Sequence, residues 1–203
     1  MMRNSLTTLA GWRTDLERLQ SSYRRLAASK LPVNLYSAHA PVQRRAATLL
    51  HGLDETSCLW EELDGRLLAD DKRGDRTSLH LGGATGGVAL SPQDGKGLLS
   101  AAGAGTLFLE HIEKLSPAAQ HILCRIIESG RYTPVGDPYP RPVRCRLIVA
   151  TVKPLMTLAR EFKIDWHLAE ALGHVSLSAD EVLSALEREE LLQYHPSSLA
   201  AAS

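Results

Sequence analysis

The sequence predicts an α/β protein, a three-layer αβα sandwich around a mostly parallel sheet. Continuous apolar runs at Thr106-Leu107-Phe108-Leu109 and Leu147-Ile148-Val149-Ala150 suit strands buried on both faces. Between the runs lie stretches with apolar side chains three and four residues apart, as in Ile122, Leu123, Ile126 and Ile127, the spacing of a one-sided helix. The two patterns alternate along the chain, and strands alternating with helices imply crossovers and a parallel sheet.

In order, Leu9, Trp12, Leu16, Leu19, Tyr23 and Leu26 form one stripe of an N-terminal amphipathic helix that Pro32 closes. Such a stripe must be covered, either by the rest of the chain or by a second helix in a coiled coil, so these residues are the candidate partner-binding surface. Val33 to Tyr36 reads as a short strand, followed by a loop and a helix from about Val42 to His51. A weak strand near Cys58-Leu59-Trp60 and a polar helix through Ala69 come next. Asp70 to Gly97, rich in Gly, Asp and Ser, reads as a long loop or hairpin. Pro117 opens the helix that Gly130 ends. Short strands at Tyr132 to Val135 and Arg141 to Val143 flank a turn at Gly136-Asp137-Pro138. Helices from about Leu155 to Leu172, a strand at Val175 to Leu177 and a helix from Asp180 to about Gln193 complete the set. The expected units are an N-terminal helix (1–30), an α/β domain (31–178), and a C-terminal helix with a frayed tail (179–203).

The chain has 203 residues, 44% hydrophobic and 23% charged, an ordinary globular composition. Lys+Arg and Asp+Glu are both 23, so no bulk positive field draws the chain to nucleic acid or an anionic membrane, and neither is an expected partner. The absence of a membrane-length apolar run or a signal peptide makes cytoplasm the expected compartment. Cys58, Cys124 and Cys145 form no CxxC pair and read as reduced thiols. The eight histidines show no ligand spacing, so no metal site is expected.

Gly105-Thr106-Leu107-Phe108-Leu109-Glu110-His111-Ile112, followed by Leu115 and Gln120, resembles the Walker B segment of the AAA+ ATPase domain of bacterial sigma-54-dependent transcription activators. Glu128, Gly130 and Tyr132 to Gly136 resemble that family's hairpin, and Arg144 to Thr151 its sensor strand. Leu31-Pro32-Val33 and His51 bracket the position of its phosphate loop. The resemblance runs from Leu31 to roughly Leu177 and implies an AAA+, P-loop NTPase-like fold with a truncated lid.

The resemblance breaks at the chemical positions. A phosphate loop converges backbone N–H groups on the phosphates, adds a lysine, and sets a hydroxyl on Mg²⁺. Here the loop reads Ser37-Ala38-His39-Ala40-Pro41-Val42-Gln43-Arg44, without glycine or lysine. Pro41 lacks a donor, Val42 resists positive φ, and Gln43 stands at the lysine position. Ser37, Ala40, Val42, Gln43 and Arg44 are thus a vestigial Walker A, with Arg44 and Arg45 expected to be solvated. The family's Asp-Glu becomes Glu110-His111, a vestigial Walker B in which Glu110 retains a carboxylate for metal-bound water and His111 replaces the catalytic carboxylate. The sensor asparagine corresponds to Val152, and the arginine fingers to Lys163 and Ala169. Only Leu81 to Val88 stands where the family carries Gly-Ala-Phe-Thr-Gly-Ala, and the gripping aromatic is missing.

The implied function is a pseudo-ATPase, with no catalytic residues and no cofactor. It acts through protein contact, with an intact sigma-54 activator or with itself as partner. The alternative is a non-hydrolysing nucleotide or cyclic-dinucleotide sensor built on Arg44, Arg45, Glu110 and Lys153. An ATPase with unorthodox residues ranks last.

Overall fold

A computed structural model describes residues 21–54, 59–85 and 95–194 of the chain, with side chains through residue 187. Helix α1 covers residues 21–28. It is followed by β1 (Val33–Tyr36), α2 (Ala40–Gly52), β2 (Trp60–Asp64) and a 3₁₀ turn (Gly65–Leu68). Next come α3 (Asp75–Gly82), α4 (Leu98–Ala101), β3 (Thr106–Glu110), a second 3₁₀ turn (Ile112–Lys114) and α5 (Pro117–Ser129). The chain then runs through β4 (Arg131–Tyr132), β5 (Arg141–Pro142), β6 (Arg146–Thr151), α6 (Leu155–Arg160), α7 (Trp166–Leu172), β7 (Ser176–Ser178) and α8 (Ala179–Tyr194).

Five strands form one sheet in the order β2-β3-β6-β1-β7, every adjacent pair parallel. The expected α/β sandwich is therefore the observed one. Its two outer layers follow from the pleat, since alternate side chains of a strand face opposite ways. Leu63, Leu107, Leu109, Leu147 and Val149 face α5, α6 and α7, where Leu123, Leu158 and Leu168 meet them. Val33, Leu35, Phe108, Ile148 and Ala150 face the other way, toward Ala46, Ala47 and Leu50 of α2 and Ala179, Val182 and Leu186 of α8. Tyr23 and Leu26 of α1 pack against this second cluster, so that end of the N-terminal stripe is covered by its own chain. Leu9, Trp12, Leu16 and Leu19 lie outside the described residues.

Several local expectations are corrected. The strand placed at Cys58 to Trp60 lies at Trp60–Asp64, in register with β3 from Trp60 against Thr106 to Asp64 against Glu110. The stretch after it, expected as a polar helix, is that strand's end and a 3₁₀ turn capped by Asp64, whose carboxylate accepts from Arg66 N–H at 3.0 Å. The segment read as loop from Asp70 to Gly97 contains helix α3. There the buried Asp71 carboxylate accepts from Gly74 N–H at 3.1 Å and Thr77 N–H at 2.8 Å, supplying the cap from outside the helix. Val135, expected in a hairpin strand, instead makes a parallel bridge with Ala84, stitching the end of α3 to the segment after β4. The helices expected between Leu155 and Leu172 are α6 and α7, separated at Phe162, whose φ is +56°, with α7 starting behind Asp165.

Candidate functional site

In an open parallel sheet, ligands bind beyond the carboxyl ends of the strands. Here that rim collects Ser37 after β1, Asp64 at the end of β2, Glu110 at the end of β3 with His111 after it, and Thr151 at the end of β6.

The loop after β1 is short because α2 begins at Ala40, with His39 as N-cap and Pro41 in the first turn. Pro at that position is pre-organised for helix, which draws residues of the would-be loop into the helix itself. His39 N–H donates to Ser37 Oγ at 3.2 Å, and the N–H groups of Val42 and Gln43 both donate to the His39 carbonyl, at 3.1 and 3.2 Å. Donors that a phosphate cradle would turn outward are thus engaged internally. Gln43 is buried, and its Nε2 donates to Ser37 O at 2.6 Å and to Thr151 O at 2.7 Å. One neutral amide therefore ties the ends of β1 and β6 together at the position where a lysine would reach for phosphate.

Arg44, expected to be solvated, has a side chain 46% exposed and also reaches carboxylates at the rim. Its Nη2 donates to Glu110 Oε2 at 2.7 Å, its Nη1 donates to Glu62 Oε2, and its guanidinium sits 5.8 Å from the Phe108 ring centre. The pleat explains the convergence. Trp60, Glu62 and Asp64 alternate onto the face that carries Phe108 and Glu110, directly under α2. Partial burial raises the Glu62 pKa, but hydrogen bonds from Arg44 and Trp60 outweigh it and hold this carboxyl below its ordinary range. Arg45, one residue on, reaches Glu187 of α8 at 3.4 Å.

His111 adopts a left-handed conformation, φ +52°, and caps the second 3₁₀ turn. Its Nδ1 lies 3.2 Å from Asp64 Oδ1. A Cβ on Gly65 would come within 2.5 Å of the His111 carbonyl, so only glycine admits this approach of the β2 end to the β3 end. Hydrogen bonds from Arg66, side chain first, hold Asp64 below its ordinary pKa. The ligand atoms of Asp64, Glu110 and His111 lie within 4.8 Å of one another, a cluster that histidine spacing alone did not reveal. Its signal was the paired ends of adjacent strands, which requires the correct bounds of β2.

The family resemblance implies a magnesium nucleotide at this rim, and the residues present do not fit one. The lysine is replaced by a buried amide, loop N–H groups serve the His39 carbonyl and the Ser37 hydroxyl, and Arg44 stands against Glu110 where the hydroxyl-bearing residue and the metal would face each other. Farther along, Val152 follows β6 at 40% exposure and offers no polar atom from its side chain. Lys163, at one finger position, pairs with Glu161 at 2.8 Å, and Lys153 pairs with the same carboxylate at 2.6 Å. Ala169, at the other finger position, is fully buried in the core and presents nothing outward.

Comparison with known proteins agrees with this architecture. The Sigma-54 interaction domain family matches residues 78–177. The chain is 44% identical over 59 residues to the hydrogenase transcriptional regulatory protein HoxA of Cupriavidus necator, covering 29% of this chain and 12% of that protein. It is 27% identical over 159 residues to the Nif-specific regulatory protein of Rhodobacter capsulatus, covering 74% of this chain and 26% of that protein. NtrX from Brucella abortus, solved in complex with ADP, superposes with a TM-score of 0.63 at 16% identity, over 88% of this chain and 36% of that one. The chain thus spans a minor part of each. Sigma-54-activator-like regulators are its homologues. No described helix is long and apolar enough to cross a membrane.

Proposed function

We propose that this chain, an AAA+ domain resembling that of the sigma-54-dependent activators, is a non-hydrolysing regulator of transcription that works by protein contact. The observation that supports this most is the closed loop. Gln43 is satisfied by two buried carbonyls, and α2 begins where a phosphate cradle would lie. A lysine can be lost by one substitution. Drawing the loop into the helix, pairing Arg44 with Glu110 and burying Ala169 together leave no single step that returns hydrolysis.

The partner is an intact sigma-54 activator, whose subunits share this scaffold. A subunit that contributes neither nucleotide nor finger to a mixed assembly interrupts hydrolysis at its contacts, because an arginine finger is worth on the order of a thousandfold in rate. Titrating the purified chain into an intact activator from the same cell and following phosphate release tests this. The rate falls as the chain is added, and the two proteins comigrate in sizing chromatography. An unchanged rate with two separate peaks contradicts the proposal.

A further inference from the structure

At the amino ends of the strands, on the opposite edge of the sheet from the rim, a second polar cluster lies inside the protein. Thr106 opens β3 and stands in register with Trp60 on one side and with Arg146, the first residue of β6, on the other. The pleat turns Thr106 and Arg146 toward α2, on the face that carries Phe108 and Ile148. His51 of α2 meets them there, its Nδ1 2.9 Å from Thr106 Oγ1. Lys30, left-handed at φ +56°, reaches in from the turn after α1, and its Nζ donates to Asp54 Oδ2 and, at 3.0 Å, to the Ala104 carbonyl.

Arg146 is fully buried, yet its Nε and Nη2 have no hydrogen-bond partner, and its Nη1 has only the Leu50 carbonyl at 3.5 Å. A guanidinium carries five N–H donors, and burying them unpaired is costly. Burial draws its pKa down to about 10 while Asp54 pulls the other way, so the charge persists at neutral pH. Lys30 already occupies the Asp54 carboxylate. His51 brings no charge, because burial holds its pKa below the ordinary value, and Arg146 and Lys30 lower it further against Asp54. Two cations, Lys30 and Arg146, thus share one carboxylate, which leaves one buried positive charge unanswered among the described residues.

We propose that Arg146 anchors an internal site for one small monovalent anion, chloride being the simplest, received by its Nε and Nη2. Burial selects for size, since Arg146 is wholly shielded and the Asp54 side chain is 5% exposed, which excludes phosphate or an organic acid. Lys30, 33% exposed, stands at the outer side of the cluster and marks the way in. Water satisfies N–H donors but leaves the charge unpaired, and an unpaired buried charge is the larger cost. The site lies at the other edge of the sheet from the phosphate-loop position and does not depend on the non-hydrolysing reading.

Chloride itself is the probe. The full chain is melted while potassium chloride replaces potassium gluconate at fixed ionic strength, gluconate being too large to reach a buried guanidinium. For a site of about millimolar affinity, raising chloride from about 1 to about 100 mM should lift the wild-type midpoint by about 5 °C. Arg146→Met, which keeps an unbranched side chain and removes the charge and the donors, should melt at one temperature across the series. Chloride NMR reads binding directly, because a quadrupolar ion held on a slowly tumbling protein broadens the free-ion line. The folded wild type should broaden that line, and denaturant should abolish the broadening. A wild-type midpoint that chloride does not raise, or a rise that Arg146→Met reproduces, overturns the proposal. A line as narrow with the folded wild type as with the unfolded chain overturns it too, and that measurement holds even where Arg146→Met fails to fold.

Discussion

Gln43 shows how far one side chain alters a site. Its amide hydrogens answer the carbonyls of Ser37 and Thr151, both beyond reach of water. Gln43→Ala takes the side-chain donor from the Ser37 carbonyl and one of two donors from the Thr151 carbonyl, which keeps the Ser37 N–H at 3.1 Å, and should lower unfolding free energy by about 1 kcal/mol, read from the denaturation midpoint. The same scale sets the response to acid. Hydrogen bonds from Lys153 and Lys163 lower the exposed Glu161 carboxyl from its ordinary 4.5 to about 2. A depressed carboxylate stabilises the fold above its unfolded pKa, and that stability is lost as pH falls toward its folded one. Thermal melts between pH 4.5 and 2 should therefore decline less steeply for Glu161→Gln than for the wild type. The residue types at the rim, among them Gln43, Arg44, Glu110 and His111, could be named from the sequence. Their partners could not, because Arg44 and Glu110 are 66 positions apart and meet only through the sheet.

At the scale of elements, the informative features are where helices start and stop. The end of α6 closes with Lys163 N–H on the Leu158 carbonyl at 2.9 Å and Phe162 N–H on the Ala159 carbonyl at 3.0 Å. This pairing places a left-handed residue after the helix, a position that favours glycine. Phe162 holds it with φ +56° and a side chain 96% exposed. Phe162→Gly should remove a conformational cost of about 1 kcal/mol and raise the melting temperature, provided the exposed ring contributes nothing to the isolated fold. Asp71 does the opposite work for α3, and Asp71→Ala should destabilise the chain by about 2 kcal/mol and loosen the helix, read as faster amide exchange at Ser78. The segment around α3 was illegible because its local composition is that of a loop. The helix is held by a carboxylate before it and by a left-handed Gly74, and no periodicity records either.

The whole molecule was the most legible level. Strands β3 and β6 are buried throughout, so their apolar runs are uninterrupted, and the sequence order of strands and helices left a parallel sandwich as the simplest packing. Edge strand β2 hid itself, since Trp60-Glu61-Glu62-Leu63-Asp64 mixes charges that only the observed register explains. The same mixture supplies Glu62 and Asp64 to the rim, where Arg44 and Arg66 pair with them. Conservation of the scaffold with reversal of the rim's chemistry is the central claim, and calorimetric titration of the intact chain with magnesium ATP tests it most directly. The account predicts no saturable heat at any ratio. A one-to-one binding isotherm that Gln43→Ala or Arg44→Met alters would contradict it.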